Sequence, residues 1–548
     1  AGGARGLLEL CAHVREVRLP GLKAMSPEHT VNVLWAVGKM SSSERVLLEE
    51  ATLGSRAVDP QLFSAAAGML YPRVDSLQSR YLSKLAHAFA MAGIYYYPLL
   101  VVTVNAAKVK LPEFNAAALT NLVRCLAKLS FPEDAFSRLV AERAQLDMRR
   151  LTGQQVTAMV QAFATLKYDN PDFYEAASQR LQLTMSELSA TQVQQVAWAY
   201  AVRNIQDIKL YNAIAFRAGP IIGKFKPYEL AILSWSFARQ GLHQKNLLDV
   251  TAKEAVRSMS QFNMKNMANL VWAYARVSYP CEPLFAAVGE RAAAMLEDAE
   301  GRLLEPGGPD GVEVYYDNSG RRVERHANAE NGGVATERVE LRDGSVLMRD
   351  APGSSNRLFV PQNLSDMAWA FADQGVANDR LFRLIAKRAT IDIHHFSKTS
   401  LVDIAFGFAT AKHYDQELFQ AIEEFSLPML PDFGPAYMSE LLWSMATLGH
   451  RPGETFVMAA MEVTWTKWER VTSDRNWLAK TIWALLKLEA DKVNPNHQLL
   501  TAFNDALGAD DMHEKIVSTP SPQQPSIQSE SESAHNTGQQ PTQAGNAQ

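Results

Sequence analysis

Amides and cations recur in this sequence at fixed offsets from a repeated aromatic, a pattern suited to recognition rather than bond-making. The anchors are Trp35, His87, Arg124, Gln161, Trp198, Trp235, Trp272, Trp369, Phe406, Trp443 and Trp483. Three residues before them stand Asn32, Lys84, Asn121, Gln195 and Asn269, then Asp366, Asp403, Glu440 and Lys480. Seven before stand Arg80, Gln154, Lys265 and Gln362; four after stand Lys39, Lys128, Arg239 and Arg276. These offsets place all three positions on one helical face. An Asn or Gln amide can bond a base edge, while Lys and Arg hold phosphates. The plainer reading is that such columns are only the solvated side of amphipathic helices.

What must position them is a repeat. Segments such as Met267-Ala-Asn-Leu-Val-Trp-Ala-Tyr-Ala and Leu364-Ser-Asp-Met-Ala-Trp-Ala-Phe-Ala recur along the chain. From anchor 87 to anchor 272 the step is 37 residues five times running, and it is 37 again twice from 369 to 443. The residue after the anchor is always small, and the next is mostly large and apolar, as in Phe89, Tyr200, Phe237, Tyr274, Phe371 and Phe408. Small residues let helices approach closely and the large side chain fills the space between layers. The anchor segments therefore read as helix A of a two-helix unit. A short turn, often marked by Pro or Gly (Pro132, Pro171, Gly241, Pro280, Gly375), leads to helix B. One such hairpin cannot bury both its faces, so the copies must stack. The predicted fold is all-α: an α-solenoid, a right-handed superhelix of about eleven two-helix repeats.

Departures from the period locate the other segments. About 15 extra residues enter near residues 41–58, and 60 between anchors 272 and 369. The predicted organisation is a capping helix in 1–30, repeats in 31–298, an inserted charged, Gly-rich loop or small β-hairpin in 299–358, repeats in 359–508, and a disordered polar tail in 509–548. The alternation around Asp343-Gly344 favours a hairpin and the composition equally favours a loop.

Charge is distributed unevenly. The net charge is −5, but residues 299–358 carry 8 basic and 11 acidic residues and the tail carries 1 and 5. The helical part is thus nearly neutral, and any groove for a polyanion must come from placement. Cys11, Cys125 and Cys281 are far apart and form no CxxC pair, which argues against a zinc knuckle or a disulfide framework. The longest apolar run, residues 95–104, is too short to span a bilayer and contains Pro98. The sequence opens at Ala1 without an initiator Met, which fits a removed targeting segment or a fragment. No Gly-rich phosphate loop, HExxH, GxSxG or calcium-loop pattern occurs, so neither an enzyme nor a bound cofactor or metal is expected. His394-His395 has no spaced partner and falls at a repeat junction, and the Asn363-Leu364-Ser365 sequon opens a packed helix.

The 37-residue period, the two helices per unit and the Trp-Ala-Tyr/Phe-Ala signature resemble the heptatricopeptide repeat proteins. Close relatives of those are the octotricopeptide repeat proteins and the leucine-rich region of FAST-kinase-like proteins. The resemblance spans most of residues 31–507. It implies an organellar protein, in the mitochondrial matrix or alternatively the plastid stroma, that binds single-stranded RNA and supports its stability, processing, translation or ribosome assembly. Many members also end in a RAP module. None is visible after Leu507, so binding rather than cleavage is what the resemblance carries.

The predicted RNA-binding residues are Lys39, Arg80, Lys84, Asn121, Lys128, Gln154, Gln195, Arg239, Lys265, Asn269, Arg276 and Gln362. Partners would be single-stranded mRNA or rRNA and ribosomal or other ribonucleoprotein components, with no membrane span. Because Asp366, Asp403 and Glu440 replace cations in the later repeats, RNA should favour the half before the insertion. The competing reading is a protein–protein scaffold or a structural subunit of an organellar ribosome, which near-neutral charge favours. The anchor tryptophans invite a base-stacking role, but core packing is the stronger reading. A helix B column, Arg143, Arg180, Arg217, Arg291 and Arg388, reads as inter-repeat salt bridges.

Overall fold

A computed structural model describes residues 25–51, 60–303, 312–316, 322–326, 336–340, 346–350, 359–495 and 497–508. Every anchor lies on a helix of its own. Numbered along the chain, these A helices are α1 (Pro27–Ala51), α3 (Ser79–Ala92), α5 (Ala116–Lys128), α7 (Gly153–Thr165), α9 (Ala190–Val202), α11 (Pro227–Arg239), α13 (Met264–Arg276), α15 (Pro361–Asp373), α17 (Lys398–Ala411), α19 (Pro435–Leu448) and α22 (Arg475–Lys487). The B helices between them are α2 (Pro60–Leu70), α4 (Tyr97–Val109), α6 (Asp134–Asp147), α8 (Pro171–Thr184), α10 (Ile208–Ala218), α12 (Lys245–Arg257), α14 (Glu282–Leu303), α16 (Asp379–Ile391), α18 (Gln416–Ser426) and α20 (Glu454–Thr466). Three shorter ones, α21 (Trp468–Thr472), α23 (Ala490–Val493) and α24 (Gln498–Gly508), complete the helices of the described residues.

Each A helix is built and stopped by the same local chemistry. Asn115, Thr152, Ser189, Asn263 and Ser397 cap A helices by accepting a hydrogen bond from a first-turn N–H. Glu133, Asn170, Asp207, Asn378 and Asp415 do the same for B helices. Six residues after ten of the eleven anchors the backbone turns left-handed. Gly93, Ser130, Lys167, Asn204, Gly241, Ser278, Gly375, Lys412, Gly449 and Glu489 have φ between +49° and +72°. At nine of the ten the following N–H then reaches back to the carbonyl two after the anchor, as from Ile205 to Tyr200 (3.0 Å) and from Val376 to Phe371 (2.9 Å). This is the Schellman closure, which glycine suits best. Only four of the ten positions hold glycine, which is why most of these turns carry no glycine signal.

The chain divides into two compact units, residues 1–363 and 364–548. In the first, α1, α3, α5, α7, α9, α11 and α13 pack in sequence, each on the next, while α4, α6, α8 and α10 form a second row. In the second, α17 packs on α19 and α19 on α22, with α16 against α18. Sequential neighbour packing of two-helix units is the all-α solenoid architecture. The core lies between the rows. Phe89, Phe163, Tyr200, Phe237 and Tyr274 are buried there, and the Tyr200 and Tyr274 hydroxyls donate to the carbonyls of Tyr174 (2.7 Å) and Leu248 (2.6 Å) on helix B.

Two expectations need correction. Inter-repeat salt bridges are not what Arg143, Arg180 and Arg217 of the helix B column form among the described residues. Arg180 and Arg217 instead donate to the carbonyls of Leu151 (2.8 Å) and Leu188 (2.8 Å), each 29 residues earlier, while Arg143 and Arg388 pair with Asp147 and Asp392 one turn along their own helices. The reason is proximity: those carbonyls follow a 3-10 turn that ends the preceding repeat and lack a helical partner. The insertion also holds more than one hairpin. Strands β1 (Val312–Tyr316), β2 (Arg322–His326), β3 (Thr336–Glu340) and β4 (Val346–Asp350) pair antiparallel in chain order, with Val339 opposite Leu347. Among the described residues no helix is long and apolar enough to cross a membrane. The predicted capping segment around residues 7–19 and the tail 509–548 lie outside the described residues. Helix α1 runs on to Ala51, through part of the extra segment predicted at 41–58.

Candidate nucleic-acid interface

The first three A helices bring a group of cations onto one edge. Lys84 on α3 donates to the Asn32 side chain on α1 at 2.7 Å and sits 4.5 Å from the centre of the Trp35 ring; Lys39 lies 5.1 Å from the same ring. The Trp35 indole N–H donates to His87 Nδ1 at 3.3 Å, so adjacent anchors touch. On α5, Asn121 donates to Ser83 Oγ (3.1 Å) and accepts from Arg124 (2.9 Å). Arg124 and Lys128 are exposed. Burial, and then the charges of Arg124 and Lys128, hold the His87 imidazole below its ordinary pKa. Ion pairs in the first unit occupy B helices and turns, as in Lys108–Glu133, Arg203–Asp169 and Arg257–Glu254. Among the described residues no carboxylate forms an ion pair with Lys84, Arg124 or Lys128.

Other predicted residues are distributed along the same row. Arg80 is exposed on the first turn of α3, over the Tyr81 ring. Gln154 is exposed on α7 and Gln195 half-buried on α9, in a stretch of two repeats whose columns hold no cation. A second basic group follows on α11 and α13. Arg239 donates to the Ala201 carbonyl of the preceding repeat at 3.1 Å and lies over the Trp235 ring at 5.3 Å. Burial holds its pKa below the usual arginine value. Lys265 is exposed, while Asn269 and Arg276 are half-buried, with the Arg276 Nε lacking a hydrogen bond. Gln362 is half-buried on the first turn of α15 and belongs to neither basic group.

In the second unit three of the four anchors and one column residue turn inward. Trp369, Phe406 and Trp443 are buried, and Lys480 is fully so, its ammonium 5.4 Å and 5.5 Å from the Phe406 and Trp443 rings. Burial, opposed by Lys480 and aided by Asp403, pushes the Glu440 carboxyl up to about 7. Core packing thus describes these anchors. Trp35, Trp198, Trp235, Trp272 and Trp483 are half-buried and keep part of the ring in solvent.

Trp35, His87 and Arg124, which sequence reasoning does not place among the RNA-binding residues, adjoin Lys84 and Lys128 in the structure. Their signal was a gap: tryptophan is missing from the anchor column at 87, 124 and 161 in succession. Chemically the first unit offers fixed cations and amides, one set fit for phosphates and the other for base edges.

Two rows of stacked helical hairpins define a helical-repeat protein of the solenoid class. The family model described as RNA-editing substrate-binding complex 6 protein matches residues 24–304, just over half of the chain, and the chain belongs to that family. It is accordingly an RNA-associated helical protein, and the match lies within the first unit. Comparison with curated proteins gave no match.

Proposed function

We propose that the first unit binds single-stranded RNA along its A row and holds it, without cutting it, within an RNA-editing or related ribonucleoprotein complex. The observation that carries this reading is the basic edge of α3 and α5, where no carboxylate among the described residues forms an ion pair with Lys84, Arg124 or Lys128, inside the segment that matches the family. A constant scaffold with changing side chains suits reading of about one base per repeat, as other RNA-reading helical repeats do. The heptatricopeptide-like spacing supports work in the mitochondrial matrix, with the plastid stroma as alternative; imaging of the tagged full-length protein against organelle markers tests this.

Filter binding of single-stranded RNA at two salt concentrations tests the binding. Affinity should fall steeply with salt, and changing Lys84, Lys128, Arg239 and Arg276 together to Glu should abolish it. Neutral Gln at the same four sites should flatten the log–log salt slope by about 3. Unchanged affinity in the Glu variant would remove the assignment. A second reading, a protein-contact role, is favoured for the other unit by its acidic column of Asp366, Asp403 and Glu440.

A further inference from the structure

The anchor position is where the first three repeats depart from the others, and this departure has a chemical consequence. Trp35 Nε1 has a hydrogen to donate and nothing to accept with, so at the 3.3 Å contact His87 Nδ1 must be the acceptor. The imidazole proton of neutral His87 therefore sits on Nε2, which points away from the indole. The charges felt by this ring from α5 are Arg124 and Lys128; on its own helix and on α1 the neighbours of Trp35 are Lys84 and Lys39. Among the described residues nothing accepts from Nε2, and no carboxylate pairs with Lys84, Arg124 or Lys128. A half-buried donor beside Lys84, Arg124 and Lys128, whose hydrogen-bond partners Asn32 and Asn121 are neutral, offers a place to an anion.

We propose that His87, with Lys84, Arg124 and Lys128 around it, forms a seat for one phosphate group of the bound RNA, His87 Nε2–H donating to a phosphate oxygen. Trp35 is a positioning residue: its N–H fixes the imidazole tautomer and its ring holds the Lys84 ammonium. With both lysines against it, the ring serves to place cations rather than to stack a base. The seat rests on the reading of the first unit as RNA-binding and adds to it a specific contact made by none of the amide side chains.

A bound phosphate favours the imidazolium over the neutral ring, so seating it raises the His87 pKa from its depressed value and couples binding to proton uptake. The test is RNA affinity by fluorescence anisotropy between pH 5.5 and 8 on the full chain, with His87→Gln, Arg124→Gln and Trp35→Phe. Wild-type affinity should rise by about tenfold as pH falls across this range. His87→Gln should lose that rise. Arg124 is exposed, so Arg124→Gln leaves packing intact; it should lower the salt slope by about 0.7. Trp35→Phe should reduce the pH-linked rise. Running each protein on 5′-phosphorylated and 5′-hydroxyl forms of one RNA separates the sources. A rise confined to the phosphorylated form assigns a terminal phosphate, and a rise on both assigns the backbone. If wild type binds with steep salt dependence but both Gln variants match it in pH profile and slope, the seat is wrong and the broader reading stands. If wild type shows no salt-dependent binding, the broader reading fails first.

Discussion

The two units use one repeat in opposite ways. In residues 1–363 the anchor column is half-open to solvent, the positions around it carry cations, and ion pairs occupy the helix B side. In residues 364–548 three of four anchors are buried, and the column beside them holds the acids Asp366, Asp403 and Glu440, the last of which opposes the effect of burial on Lys480. Gly407 shows how the second arrangement is reached. A Cβ there would come within 2.8 Å of the Trp369 backbone nitrogen, so α17 lies against α15 more closely than an alanine would allow. Trp369 and Phe406 are buried at this crossing. In the first unit the corresponding residues are Ala36, Ala88, Cys125, Ala162, Ala199, Ser236 and Ala273, although Gly38 on α1 comes similarly near the Ala88 carbonyl. A periodic position is therefore a candidate for binding only where packing leaves it uncovered.

Replacing anchors tests this contrast most severely. Trp443→Ala should cost about 3–5 kcal/mol of second-unit stability, as for other buried aromatics. Trp198→Ala, at a half-exposed anchor, should cost less than half as much. Hydrogen exchange resolved by helix measures each loss within its own unit, and equal losses would dissolve the distinction.

A smaller effect follows from Glu440. Its carboxyl is pushed up to about 7 in the folded state from an ordinary value of 4.5. Between those values the folded protein keeps a proton that the unfolded chain releases, so this group's contribution falls as pH rises through the window and is fully present below it. The decline should amount to about 1–2 kcal/mol, allowing for partial solvent contact. Removing Glu440 alone would strand a buried ammonium, so the double variant Glu440→Gln/Lys480→Met is the one to compare. Its second unit should unfold with a flatter pH dependence from pH 4.5 to 7, while exchange in the first unit should not change.

The smallest expected effect sharpens the comparison by showing what the units share. Lys167 and Lys412 both end an A helix in the left-handed region. Either residue changed to Gly should gain up to about 1 kcal/mol, since the relief of strain exceeds the added chain entropy. Thermal unfolding should report the same sign in both units; a gain in only one would mean that the turns are not equivalent.

Much of this was legible in the chain itself. Anchor spacing, the small residue after each anchor and the apolar one beyond it dictate helix A, its buried face and the stacking of copies, because a helix stripe without a partner must find one. The turns were less legible: a lysine, serine or asparagine can enter the left-handed region when the Schellman bonds hold it there, and nothing in those residue types announces it. The helix B arginines misled for a related reason, since composition offers carboxylates as partners but not backbone carbonyls left open by a 3-10 turn.

Sequence alone determined the repeat, its period and which columns vary. Tertiary structure decided which of those columns reach solvent and which cations stay uncompensated. Side-chain identity is local, but exposure and pairing depend on how near the next helix comes, and that distance is set by contacts between residues 37 or more positions apart.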